Sequence, residues 1–203
     1  AGAMAGGEVR NGSTGRALLF TVKDNQLNQI MLKRCCVLFV VLAGAVLLSS
    51  CGGQVKADAR VAYQYRDGRS AVLRNGRAQA PRNAPAEVKR AIEAGNRIAG
   101  LPYKWGGGHA RLNDNGYDCS GATSYVLRNA GLLNGQMPSK GYLNYGERGE
   151  GRWITVYVRS GHVFLTVAGL RFDTGGRYGG DGPRWTVDSR SGVGHVMRHP
   201  RGL

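Results

Sequence analysis

The chain has 203 residues and a formal net charge of +15, from 28 lysines and arginines against 13 aspartates and glutamates. Beyond the first 51 residues its arginines are scattered from Arg60 to Arg201 rather than clustered among aromatic residues, which argues against a nucleic-acid partner. An anionic membrane surface, an acidic wall polymer or a plainly solvated basic surface remain as explanations of the charge.

Residues 1–30 are polar and glycine-rich, lack an amphipathic period, and are set apart as an extension of uncertain origin. Met31-Leu32-Lys33-Arg34 reads as a translation start, and the uncharged run from Cys35 to Leu48 follows it. Basic, apolar and then small residues in that order mark residues 31–50 as an export signal, too short to span a bilayer at roughly 20 residues per helical crossing. Leu48-Ser49-Ser50-Cys51 resembles the lipobox of bacterial lipoproteins, which implies cleavage before Cys51 and acylation of its thiol. Of the four cysteines, Cys35 and Cys36 would leave with the signal and Cys51 would carry lipid. Cys119 is then the one free thiol, and no disulfide framework is available.

Residues 51–82 are polar and arginine-rich and read as a tether, with a small hairpin around Asp67-Gly68 as an option. A domain follows over residues 83–203. Pro85 stands like a first helical residue, and Val88, Ala91, Ile92, Gly95 and Ile98 recur at helical spacing, predicting a helix over 85–99 stopped by Gly100-Leu101-Pro102. A shorter helix is predicted over 119–130, closed by Gly131. Residues 132–151 read as loop. Beyond them the period becomes two: strands are predicted over 153–158, 162–168 and 170–174, with closing strands over 185–187 and 194–198. Two helices followed by an antiparallel sheet make an α+β domain.

The chemistry centres on Asp118-Cys119-Ser120-Gly121. A cysteine that opens a helix faces unpaired backbone N–H groups and the positive end of the dipole, a setting that favours a nucleophilic thiolate. Among His109, His162, His195 and His199, the histidine that opens the strand after Cys119 is the natural base. Alternation puts Val163, Leu165 and Val167 on one face and His162, Phe164 and Thr166 on the other, and which face meets the helices is left open. Asp173 lies 11 positions beyond His162, so a hairpin around Gly169 returns it beside that strand to orient the imidazole. His109 reads as a loop residue near the cleft. His195 and His199 lie in extended sequence without a third ligand, so neither a metal nor another cofactor is expected. Trp105, Trp153 and Trp185 read as packing residues.

Leu101-Pro102-Tyr103-Lys104-Trp105-Gly106-Gly107-Gly108, then Tyr117-Asp118-Cys119-Ser120-Gly121, then Gly161-His162-Val163 resemble, in order and spacing, the signatures of the NlpC/P60 cysteine peptidases, papain-like hydrolases of bacterial cell-wall peptides. The resemblance covers roughly residues 85–175. It implies a papain-like fold with N-terminal helices packed on an antiparallel sheet. It implies Cys119 as nucleophile, His162 as base and then acid, Asp173 as orienter, Tyr103 near the nucleophile, and Asp118 and Ser120 as substrate-binding residues. The implied substrate is the peptidoglycan stem peptide, cut at a D-glutamyl-diaminopimelate type of bond. The chain departs from the family in carrying aspartate where histidine or a side-chain amide is common, and residues 175–203 have no counterpart in the resemblance.

The expected protein is therefore an exported, lipid-anchored enzyme of the bacterial envelope, facing the periplasm or the outer surface. Two other functions fit the same residues: a non-enzymatic envelope module that binds through its basic surface, and a Cys–His amidase or acyl transferase.

Overall fold

The computed structural model describes residues 56–57, 60–175, 181–188 and 190–203. The extension over 1–30, the export signal and the lipidation candidate Cys51 lie outside the described residues. In chain order the elements are β1 (Lys56–Ala57), β2 (Arg60–Val61), β3 (Val72–Arg74), β4 (Arg77–Gln79), α1 (Ala86–Ile98), α2 (Cys119–Asn129), a 3-10 turn (Ser139–Asn144), β5 (Glu147–Arg148), β6 (Ile154–Arg159), β7 (His162–Val167), β8 (Leu170–Asp173), β9 (Arg184–Thr186), β10 (Arg190–Ser191) and β11 (His195–His199).

One antiparallel sheet runs in the order β1-β11-β6-β7-β8-β9, with β5 also paired to β11. Its first face carries Ile154, Val156, Val158, Val163, Leu165, Val167, Leu170 and Phe172, all buried, and these join the buried stripes of α1 (Val88, Ala91, Ile92, Ala94, Ile98) and α2 (Ala122, Val126, Leu127) in one core. Removing such side chains from water stabilises the fold by about 1.5–3 kcal/mol each. The second face carries Tyr157 and Phe164, stacked with ring centroids 4.8 Å apart, in a separate small cluster with Val61 and Met197. The α+β expectation therefore describes the observed architecture.

The predicted elements appear with small shifts of boundary. Pro85 caps α1 rather than opening it, because its extended backbone (ψ 154°) precedes the first helical residue. Gly95, in the buried stripe, is where the Trp185 indole lies against α1; a methyl group there would overlap the ring. The β7–β8 hairpin pairs Val167 with Leu170, leaving Ala168 and Gly169 as a two-residue turn with φ of 47° and 84°. Both angles are those of the turn that matches strand twist.

The tether expected over 51–82 is corrected in its second half. Ala71 and Ala78 are buried, and Ala71 N–H donates to the Ala168 carbonyl at 2.8 Å. The Asn96 side chain on α1 grips both backbone groups of Ala78 at 2.9 Å. The hairpin turns at Asn75-Gly76, not at Asp67-Gly68, since β3 and β4 pair Arg74 with Arg77. Low hydrophobicity hid this hairpin, because its attachment depends on small residues and backbone hydrogen bonds. The loop expected over 132–151 contains the 3-10 turn, anchored by fully buried Tyr142.

Candidate active site

The loop that leads into Cys119 is built around Asp118. Its Oδ1 accepts from Gly121 N–H at 2.7 Å, capping α2, while Oδ2 accepts from Gly106 N–H at 3.1 Å in the glycine-rich run. One carboxylate thus ties the start of the helix to the preceding loop. Gly121 is required by close approach: a Cβ would collide with the Gly107 carbonyl. Lys104 closes the loop from outside through an ion pair to Asp114 at 2.7 Å. Cys119, half-buried, is the first residue of α2.

The Val163-Leu165-Val167 face packs on the helices. Strict alternation would then turn His162 away from Cys119, yet the thiol is near enough to the ring to help raise its pKa. Cys119 and His162 are each the first residue of their element, so neither has helix or strand beyond it to separate them. The register Leu165↔Phe172 brings Asp173 across from Phe164, and His162 Nε2 donates to Asp173 Oδ1 at 3.1 Å. Burial opposes a charged imidazole here, but hydrogen bonds to Asp173 and Cys119 and the charges of both outweigh it, and the His162 pKa is raised above its ordinary 6.5. For Asp173, burial likewise opposes the charge. The His162 bond and charge, Arg190 and the Gly175 N–H prevail, and its pKa is lowered.

Asp173 has further partners that the sequence reading missed. Arg171 Nη1 donates to its Oδ2 at 2.6 Å, and Arg190 Nη1 lies 3.0 Å from the same oxygen. Arg171 was recoverable from alternation, being two residues from Asp173 on one strand. Arg190 comes from β10, where no pattern points at the site. His195 on β11 is 3% exposed, lies edge-on to His162 with ring centroids 6.5 Å apart, and neither of its ring nitrogens has a hydrogen-bond partner among the described residues.

Tyr103, bridged to Tyr117, is near enough to Cys119 and Asp118 to feel their charge. Burial and then the nearby Cys119 and Asp118 charges raise its hydroxyl pKa. Asp118 and Ser120, implied substrate binders, are both buried and engaged internally: Ser120 Oγ donates to Asp118 Oδ1 at 3.0 Å, and His109 Nε2 meets both, at 3.1 and 3.0 Å. His109 is therefore part of the nucleophile loop, not a bystander. Trp153 and Trp185 are buried as expected of packing residues, but Trp105 is 87% exposed, because the tight Lys104–Gly107 turn leaves it no apolar surface to cover.

No family model matches the chain, and no curated protein matches it. Solved structures similar to it include the P60 domain of an antigen from Mycobacterium avium subspecies paratuberculosis, at 21% identity over 57% of this chain and 96% of that one, with a TM-score of 0.42. Another is the peptidoglycan hydrolase RipB from Mycobacterium tuberculosis, at 23% identity over 56% of this chain and 64% of that one, less than two thirds of its length, with a TM-score of 0.42. A third, described as similar to lipoprotein of the NLP/P60 family, from Staphylococcus aureus, is 19% identical over 52% of this chain and 43% of that one, with a TM-score of 0.36.

Proposed function

We propose that this chain is a cysteine peptidase that hydrolyses peptidoglycan stem peptides at a D-glutamyl-diaminopimelate type of bond. The observation that supports this most is the His162–Asp173 bond of 3.1 Å with the Cys119 thiol, first residue of α2, near enough to act on the same ring. With its Nε2–H given to Asp173, the imidazole has Nδ1 left for the sulfur. In this reading Cys119 loses its proton to His162 and attacks the peptide carbonyl. His162 then protonates the leaving amine, and water hydrolyses the thioester. The Cys119 backbone N–H, at the positive end of α2, serves the developing oxyanion, a contribution typically worth about 3–4 kcal/mol per donor. Residues 83–203 carry the catalytic apparatus in this proposal, with Tyr103 beside the nucleophile.

The segment from Lys33 to Cys51 supports export and lipid attachment, and with them a place in the bacterial envelope. Mass spectrometry of muropeptides incubated with the purified protein tests the activity. A new amine at the internal bond that disappears in Cys119→Ala is expected, and full cleavage by Cys119→Ala refutes the reading. A new amine at the sugar-linked alanine would identify an amidase instead. Salt-sensitive wall binding without any product would identify a binding module.

A further inference from the structure

We propose that Arg190, delivered by the C-terminal segment, is a positioning residue that holds Oδ2 of Asp173 and offsets the field of that carboxylate at His162. This rests on the peptidase reading for its purpose, but the geometry stands without it. The two carboxylate oxygens are divided between two tasks. Oδ1 accepts from His162 Nε2 at 3.1 Å and from Gly175 N–H at 2.9 Å. Among the described residues Oδ2 faces guanidinium groups, Arg171 at 2.6 Å and Arg190 at 3.0 Å.

The terminal torsion of an aspartate is broad, so a carboxylate held by histidine alone can offer either oxygen and rock between them. Two cations on Oδ2 remove that freedom. Arg171 belongs to the same strand as Asp173, and its Nε is itself tied to the Asp188 carbonyl at 3.2 Å. Arg190 reaches in from β10, which pairs with β2, so it anchors the carboxylate to a different part of the fold. Its guanidinium carbon lies 5.3 Å from the centre of the Phe164 ring, and Nη1 also meets the Gly175 carbonyl at 3.3 Å.

Gly175 gives independent support, because a Cβ there would come within 2.8 Å of Arg190 Nη1. Buried charge explains why the pair is needed. A carboxylate that faces a histidine in low dielectric binds the imidazolium strongly, and an over-stabilised imidazolium is a poor acid for a leaving amine. Two guanidinium groups offset that field while leaving the hydrogen bond in place.

The groups that face His162 are Cys119 from α2, Asp173 and Arg171 from β8, Arg190 from β10 and His195 from β11; Arg159 on β6 is its partner in the register and acts on His195. His195 adds little charge. Burial, then Arg159 and His162, lower its pKa against the opposing carbonyls of Val193 and Gly192. Arg190 is thus the one cation of the group held by the tail, and its removal takes a positive charge from the far side of Asp173.

The test is the titration of the His162 ring by NMR on the full chain, its signal assigned by its absence in His162→Gln. In Arg190→Gln the midpoint is expected to rise by roughly one unit, and in Arg190→Lys to return most of the way. Gly175→Ala, which displaces the guanidinium without removing it, should move the midpoint in the same direction by less, and it decides the matter if Arg190→Gln does not fold. An unchanged or lowered midpoint in both Arg190→Gln and Gly175→Ala overturns the proposal. On muropeptides, Arg190→Gln should lower kcat several-fold with little change in KM and move the basic limb of the pH profile upward. If the wild type cleaves nothing, the peptidase reading fails, and the titration still decides the role of Arg190.

Discussion

Two histidine–aspartate pairs lie close to Cys119, and each has a contact of 3.1 Å. In one, His109 meets Asp118 in a loop whose histidine side chain is 28% exposed, and the carboxylate spends its remaining capacity on Gly106, Gly121 and Ser120. In the other, His162 meets Asp173 where the carboxylate side chain is 1% exposed and the other donors include two guanidinium groups. Distance alone does not separate a structural pair from a candidate catalytic one. What separates them is the rest of each coordination. Asp118 holds backbone and shapes a loop, whereas Asp173 holds charge and orients a ring that also reaches the thiol.

The largest expected effect tests that separation directly. His162→Ala should lower muropeptide cleavage by about 10²–10⁴-fold, the usual range for losing a general base and acid, while His109→Ala should change it by less than about tenfold. Comparable losses from both would merge the two pairs into one machine. Next in size is stability in urea. Asp173→Ala leaves the buried Arg171 and the half-buried Arg190 guanidinium groups without their shared carboxylate and should cost about 3–5 kcal/mol. Asp118→Ala chiefly removes a helix cap and should cost about 1–2 kcal/mol. The reverse order would make the loop, not the sheet, the keystone.

A smaller effect follows from pH. The raised His162 pKa makes its contribution to stability fully present below 6.5 and lost as pH rises through the higher folded value. The lowered Asp173 pKa makes its contribution present above 3.8 and lost as pH falls through the folded value. Wild type should therefore exceed His162→Gln in stability by more at pH 5 than at pH 8; an equal margin at both would deny the coupling. The smallest effect is expected at Trp105, on the nucleophile loop. Trp105→Ala should leave thermal stability within about 0.5 kcal/mol, as surface substitutions do. A larger loss would show that the indole has a packing partner.

Much of this arrangement was legible in the residues. Val88, Ala91, Ile92 and Ile98 announce α1 because a helix must bury one stripe, and Gly169 announces the hairpin because the turn needs a left-handed backbone. Asp173 followed from counting back through that turn. The relation of His162 to Cys119 was not legible, since alternation gives the direction of a Cβ and not the reach of a ring at the end of a strand. The roles of Arg190 and His195 were hidden for a different reason. They arrive from segments distant in sequence, through pairings of β10 with β2 and β11 with β6 that carry no local signal. Trp105 was misread because apolar character predicts burial only where the backbone brings other surface to cover it.

The place of β11 in the sheet has a consequence for how the protein is made. Although it follows every other strand in sequence, it is inserted between β1 and β6. A chain threading out from its N-terminal end presents Cys119, His162 and Asp173 before β11, the strand that joins β1 to the rest of the sheet. Assembly then waits on a pairing between residues about 140 positions apart, Lys56 with Val196, and such distant contacts form slowly. A nascent molecule would thus hold these three side chains in an unfinished scaffold until that late strand docks.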